Sequence, residues 1–292
     1  MDPVVPSPVA GGRARLNSQS RVIEALSRVR GFDGESAVVE ELKGGLSNQV
    51  YLAQSAGQRC VLRLSTDSSG EIYPDRSCEL AILETAAAAG FAPEVLYADS
   101  GAGILVTEYI QGTVWQESDL ESNANIESLA GLLRRVHALP LCGTRMNLVG
   151  AAEQYAQYLE RRQGLHTFAS NCVRIIEAIP VHEEVACCHN DIVASNVIDS
   201  GSLKLIDWEY ACDNDPLFDL ASAIGYHNLD DSRRHFFLDA YAGGADAQLK
   251  ERLAQQVRLY DAVQWLWLAT RHLAAPQPEQ ARRLEELQMR IG

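Results

Sequence analysis

The sequence lacks the marks of several protein classes. No apolar run approaches the roughly 20 residues that a membrane-spanning helix needs, so insertion into a bilayer is not expected. Met1 to Arg15 has no basic start leading into an apolar core and does not read as a secretory leader. Rich in Pro, Gly and small residues, residues 1–17 read as a loose arm. The seven cysteines are an odd number with no CxxC spacing. That argues against a disulfide framework and against a zinc site, and a reducing cytoplasm is the expected setting. Basic residues are outnumbered, 25 Lys+Arg against 39 Asp+Glu, for a net charge of −14. Affinity for nucleic acid rests on cations that neutralise phosphates, so no nucleic-acid partner is expected. The same balance favours cationic ligands through the long-range field, and it also serves solubility.

What is present fits a globular chain. With 292 residues, 47% apolar and 22% charged, there is material for two lobes, each with its own core. Ser18 to Arg30 places Val22, Ile23, Leu26 and Val29 at helical spacing. Short strands are expected at Ala37 to Leu42, Gln49 to Gln54 and Arg59 to Leu64, separated by Gly44-Gly45 and by Ser55-Ala56-Gly57. Asp75 to Ala89 reads as a helix ending at Gly90, and Pro93 to Tyr97 and Gly103 to Tyr109 as further strands. Beyond Gly112 the pattern turns helical, at Ile126 to Leu139, Ala151 to Arg162 and His166 to Ile179. Strands return at Val185 to Cys188, Val197-Ile198 and Leu203 to Ile206, and the chain is helical from Leu217 onward. The expectation is an α+β, bilobal chain: a β-rich N-terminal lobe over residues 18–110 and a mostly helical C-terminal lobe over residues 111–292.

The strongest chemical signal runs from Cys187 to Asn196 (CCHNDIVASN) and resumes at Leu203 to Tyr210 (LKLIDWEY). An apolar strand leads into a polar loop with His189, Asp191 and Asn196, and a second apolar strand ends at Asp207, eleven residues after Asn196. Phosphoryl transfer needs these parts: a carboxylate that orients or deprotonates the attacking hydroxyl, and an amide and a second carboxylate that hold magnesium. A lone HxD is weak; the full HxDxxxxN between apolar strands is specific.

These motifs, with IDWEYACDNDPLFDLA from Ile206 to Ala221, resemble the choline/ethanolamine kinase and aminoglycoside phosphotransferase superfamily, which has a protein-kinase-like fold. The likeness runs from about Leu42 to the last helices and looks closest to bacterial choline kinases and thiamine kinase. It implies that Asp191 is the catalytic base, that Asn196 and Asp207 are magnesium ligands and that His189 braces the loop near Asp207. Asp219 would hold the backbone of the catalytic loop, although a carboxylate in a helix's first turn is also an ordinary capping device.

The resemblance also implies ATP binding by the N-terminal lobe. Lys43 to Tyr51 (KGGLSNQVY) carries Gly44, Gly45, Ser47 and Asn48, where glycines let backbone amides approach phosphates. Taken alone, a GG hairpin is far commoner than a nucleotide loop. Where protein kinases carry a strand lysine, this chain has Arg63, as choline kinases do, and a guanidinium grips phosphate bidentately. Its partner would be Glu79, in a DRxxE stretch beginning at Asp75. Leu105 to Ile110 would be the hinge whose backbone, at Glu108 and Ile110, meets adenine.

The acceptor is expected to be a small cationic alcohol held by ring faces and a carboxylate. Candidates are Trp208, Glu209, Tyr210, Asp261 and Trp265, the last two sharing a helix face four residues apart, with Trp267 pointing elsewhere. For each ring alone, core packing is the commoner explanation. Choline or ethanolamine is the favoured acceptor, followed by thiamine and then an aminoglycoside. A catalytically silent nucleotide-binding regulator is the alternative of a different class; the intact Asp191, Asn196 and Asp207 argue against it. The oligomeric state is left open.

Overall fold

The computed structural model describes residues 20–42, 48–65, 76–160, 162 and 164–292. The expected arm at residues 1–17 and the phosphate-loop residues Gly44, Gly45 and Ser47 lie outside the described residues, as does Asp75. The chain forms two compact units: Met1–Glu71 with Pro93–Gln111, and Ile72–Ala92 with Gly112–Gly292.

The first unit is built on a sheet with strand order β1-β2-β3-β5-β4, each neighbour antiparallel. Its strands are β1 (Val38–Leu42), β2 (Asn48–Ser55), β3 (Gln58–Ser65), β4 (Val95–Asp99) and β5 (Ile104–Glu108). Ala56 and Gly57, at φ +49° and +82°, make the β2–β3 turn, with the left-handed pair that matches strand twist. On β3 the alternation is clean: Cys60, Leu62 and Leu64 are buried, while Arg63 between them is half-buried on the opposite face. Helix α1 (residues 20–27) and the turn after it lay Val22, Ala25, Leu26, Val29 and Phe32 onto the buried face, with Val106 of β5. Each such leucine contributes about 1.5–3 kcal/mol relative to exposure.

The second unit holds α2 (Arg76–Ala88), which the sequence reading had assigned to the first lobe. Arg135 explains its placement, donating to the Ala89 carbonyl at 2.8 Å while its guanidinium lies over the Phe91 ring. The Phe91 carbonyl in turn accepts from Leu205 N at 2.8 Å. The other helices are α3 (Asn123–His137), α4 (Leu148–Leu159), α5 (His166–Ala178), α6 (Leu217–His227), α7 (Asp231–Ala242), α8 (Ala247–Ala274) and α9 (Pro278–Ile291). Helix α8 is the central post: α4, α5, α6 and α9 pack on it, while α3 packs on α7. Two small antiparallel sheets complete the unit, β6 (Thr113–Val114) with β8 (Val197–Asp199) and β9 (Leu203–Leu205), and β7 (Ala186–Cys188) with β10 (Cys212–Asn214). Helices α3 and α4 start a turn earlier than apolar spacing suggests, because Ser122 and Asn147 cap them by accepting from Asn125 N and Gly150 N.

Candidate active site

Strand β7 is buried throughout and delivers His189 from its end. His189 is fully buried, and burial lowers its pKa and keeps the ring neutral. Its Nδ1 faces the Asp191 amide at 3.3 Å and its Nε2 the Ile206 carbonyl at 3.0 Å. An N–H must donate to the first and a carbonyl accept from the second, so the proton sits on Nε2. His189 thereby ties the catalytic loop to the end of the β9 strand, one residue before Asp207.

Helix α6 holds the loop from the other side. Asp219, fully buried, accepts from His189 N at 3.0 Å and from Asn190 N at 2.6 Å. Ser222 Oγ accepts from Ile192 N at 2.9 Å. Asn190 takes a left-handed conformation, φ +66°, and its side-chain amide donates to the Tyr210 carbonyl at 3.0 Å while its Oδ1 accepts from Asn214. Asp191 is thus carried on a loop whose backbone amides are almost all engaged.

Asn196 Nδ2 donates to Asp191 Oδ2 at 2.9 Å and to the Asp191 carbonyl at 3.1 Å. Burial first, then the Asp207 charge, pushes the Asp191 carboxyl up to about 7, against the opposing pull of the Asn196 bond. Asp207 is exposed and left-handed, φ +62°. Because Asn196 spends its N–H groups on Asp191, its Oδ1 is the side-chain atom left to act as a ligand. An amide oxygen and a carboxylate form a hard-oxygen set, which suits Mg²⁺ and does not suit a thiophilic ion.

The acceptor residues fare differently. Trp208 has only 1% of its surface exposed; its indole N–H donates to the Leu205 carbonyl at 3.0 Å and its ring packs on His189 and Phe91. That ring supports the catalytic loop from behind and offers no face to a ligand. Trp265 is fully buried against Phe168, ring centroids 4.6 Å apart. Asp261 is buried and already paired with Arg290, so its charge is spent within the protein. For Asp261 and Trp265 the cause is shared: helical spacing reports a common face, and that face is turned into the helix core. Glu209 is buried and Tyr210 half-buried.

Of the proposed nucleotide residues, Asn48 opens β2, Arg63 sits on β3 and Glu79, buried, lies in the first turn of α2. Glu108 closes β5 and its carboxylate accepts from Glu94 N at 3.2 Å. Ile110 follows it, and among the described residues its backbone makes no hydrogen bond.

Sequence reasoning missed Ser222, Tyr226 and His137. Tyr226 is half-buried; burial, then the charges of Glu117 and Asp191, raise its pKa, so its hydroxyl lies within electrostatic reach of Asp191. Buried Tyr260 of α8 feels Asp191 in the same way. A signal was available: Asp219, Ser222 and Tyr226 recur at spacings of three and four, a polar stripe on an otherwise apolar helix.

The chain resembles known proteins over most of its length. The LicA protein of Haemophilus influenzae is 26% identical over 68% of this chain, a match that spans 61% of that protein's length. Thiamine kinase of Escherichia coli is 28% identical over 86% of this chain and 82% of its own. The crystal structure of a choline/ethanolamine kinase family protein from Mesorhizobium loti superposes with a TM-score of 0.71 at 25% identity, covering 93% of this chain and 92% of that one. This likeness gives the chain the α+β, protein-kinase-like fold that the sequence led one to expect. Residues 38–255 match the model of the phosphotransferase enzyme family, and the chain belongs to that family.

Proposed function

We propose that this phosphotransferase moves the terminal phosphoryl group of ATP onto the hydroxyl of a small cationic alcohol, with Asp191 as the group that receives the hydroxyl. The observation that carries the reading is the Asp191–Asn196 pair: a carboxyl pushed up to about 7 and fixed at 2.9 Å by the Asn196 side-chain amide. A base with a pKa near working pH combines an available lone pair with a useful proton affinity. Asp191 orients the attacking hydroxyl and takes its proton, while His189 and Asp219 keep the loop from moving during the transfer. Asn196 Oδ1 and Asp207 would hold Mg²⁺. When bound, the ion neutralises charge on the phosphate oxygens. Asn48, Arg63, Glu79, Glu108 and Ile110 are the proposed nucleotide contacts, together with Gly44, Gly45 and Ser47.

Choline or ethanolamine is the favoured acceptor, on the sequence features around Arg63, Glu79 and Asp219. Thiamine is the second reading, and the even coverage of the Escherichia coli thiamine kinase, 86% of this chain against 82% of that one, favours it. Aminoglycosides come third. The test is ADP release with Mg²⁺ and ATP over choline, ethanolamine, thiamine and an aminoglycoside. Turnover with one cationic alcohol is expected. ATP binding with no turnover on any acceptor would point instead to a silent regulator.

A further inference from the structure

The last turn of α6 meets a segment that the proposed mechanism does not use. Between β6 and α3, Glu117–Glu121 forms one short 3₁₀ turn. It is anchored on both sides: Trp115 N donates to the Val197 carbonyl at 2.9 Å, Leu120 is fully buried, and Asn125 Nδ2 donates to the Asp119 carbonyl at 2.9 Å. His227, the residue after Tyr226, donates from Nδ1 to the Glu117 carbonyl at 2.9 Å and so ties this turn to α6. The end of α6 is itself clamped. Arg283 of α9 donates to the Gly225 and Tyr226 carbonyls at 2.6 and 3.2 Å, and the Tyr260 ring of α8 lies against Gly225. Within the 3₁₀ turn Asp119 is committed, its Oδ2 accepting from Gln116 N at 2.6 Å. The Glu117 carboxylate is exposed and makes no hydrogen bond or ion pair among the described residues.

We propose that Glu117 and Tyr226 form the subsite for the acceptor's positive charge: the Tyr226 ring lies beneath the cation, Glu117 supplies the counter-charge, and the acceptor's hydroxyl points to Asp191. This rests on reading the chain as a kinase of a cationic alcohol with Asp191 receiving the hydroxyl. The register along α6 sets the order. Ser222 Oγ accepts from Ile192 N, which pins the residue after Asp191 to that helix. Tyr226 stands about one helical turn further, roughly 5–6 Å, and Glu117 is tied to the next residue on. A molecule with its hydroxyl at Asp191 therefore passes Tyr226 before it meets Glu117. The electrostatics agree. Burial, then the charges of Glu117 and Asp191, raise the Tyr226 pKa against a smaller opposing pull from Arg283, so two carboxylates set the local field. Tyr260 marks the other end. Its side chain is 2% exposed, its hydroxyl makes no hydrogen bond among the described residues, and burial and then the Asp191 charge raise its pKa. A buried hydroxyl without a partner is rare, and the acceptor's hydroxyl end completes it. One ring face and one uncommitted carboxylate suit a single quaternary or aromatic cation, which has no N–H to share. An aminoglycoside, with several ammonium groups, has more charge than this subsite can pair.

The test uses Glu117→Gln and Glu121→Gln in the full chain, with Asp191→Asn alongside. ADP release is followed with choline, with thiamine and with the neutral alcohol in which carbon replaces the nitrogen of choline. Glutamine keeps the length of residue 117 and its carbonyl bond to His227, and removes only the charge. Glu121, an exposed acid at the far end of the same turn, controls for the loss of one charge from the overall field. In Glu117→Gln the KM for the cationic acceptor should rise about 3- to 30-fold, as loss of one close charge contact at a partly wet site does. Both kcat and the KM for ATP should stay within about twofold. The difference from wild type should shrink between about 0.01 M and about 0.15 M salt, because ions screen the contact. The neutral alcohol should not tell the two proteins apart, and Glu121→Gln should behave as wild type. An unchanged acceptor KM in Glu117→Gln, an equal rise for neutral and cationic alcohols, or a matching rise in Glu121→Gln would each overturn the proposal. A wild type that turns over no cationic alcohol, or an Asp191→Asn variant of full activity, would instead overturn the functional reading on which it stands.

Discussion

The side-chain amide of Asn196 donates to Asp191 twice, to the carboxylate at 2.9 Å and to the carbonyl at 3.1 Å. The carboxylate bond favours the ionised acid and works against burial and the Asp207 charge, which both favour the neutral one. In metal-free protein the Asp191 carboxyl should titrate near about 7. Asn196→Ala should move the midpoint upward, and Asp207→Asn should move it downward. Carbon-13 titration of labelled aspartate measures this directly. A midpoint that ignores both substitutions means that these two neighbours do not govern it.

A raised carboxyl pKa is also a statement about stability. Asp191 binds its proton more tightly folded than unfolded, so its ionisation weakens the fold as pH climbs from about 4 through about 7. Asp191→Asn removes that penalty and keeps an oxygen that accepts from Asn196. The variant should lose about 10²–10⁴-fold in turnover, as removal of a general base does, while still binding ATP. Its Tm should rise by a few degrees at pH 8, with each kcal/mol worth about 2–4 °C in a chain of this size, and it should show no gain near pH 4. Thermal melts across that range decide the matter; an equal difference at both ends would contradict the linkage.

Helices α6 and α8 approach closely at Gly225. A Cβ there would stand 2.5 Å from Cδ1 and 2.7 Å from Cε1 of Tyr260, and 3.2 Å from Asp261 Oδ1. Neither ring nor carboxylate can retreat, because Tyr260 is buried and Asp261 is paired with Arg290. Gly225→Ala should therefore cost about 1–3 kcal/mol, the range for overpacking a filled site. Chemical denaturation measures it. A neutral result would mean that the helices sit further apart than described.

The polar loop was legible because the motif sets residue types in a fixed order: His189, Asp191 and Asn196 follow the buried strand β7, and Asp207 follows β9. Strands β7, β8 and β9 were legible as short apolar runs around that loop, whereas β6 (Thr113–Val114) and β10 (Cys212–Asn214) fall in stretches with no strand pattern of their own. Long helices hid more. On α8, Asp261 and Trp265 share a face as the four-residue spacing requires, but spacing does not say whether the face meets solvent, a ligand or another helix. Arg290 and Phe168, which occupy it, come from α9 and α5, 29 residues from Asp261 in one case and nearly a hundred from Trp265 in the other. His137 was invisible for a related reason. A histidine at the end of an amphipathic helix has no local mark of function; only folding brings it to Asp219, 82 residues on.

The acceptor site should answer to Tyr226 and not to Trp265. Trp265 is buried among α8 and α5 side chains, and its indole N–H has no partner among the described residues. Trp265→Leu should thus lower stability by a few kcal/mol, less than the about 3–5 of truncation to alanine, and leave the KM values for ATP and acceptor in their original ratio. Tyr226 is half-buried, on the face of α6 that carries Asp219 and Ser222, and its hydroxyl feels the charges of Asp191 and Glu117. Tyr226→Phe removes one hydroxyl, worth about 0.5–1.5 kcal/mol, and should raise the acceptor KM roughly 2- to 12-fold. Tyr226→Leu removes the ring as well and, where a cation rests on it, should raise that KM by about 2- to 30-fold. The KM for ATP should barely change in either variant. The neutral alcohol in which carbon replaces the nitrogen of choline separates charge from shape: it should be the poorer substrate of the wild type and should lose little further in Tyr226→Leu. Equal efficiency of the neutral and cationic alcohols would end the case for a cationic acceptor. A selective rise in acceptor KM in Trp265→Leu, with Tyr226→Leu unaffected, would return the site to α8.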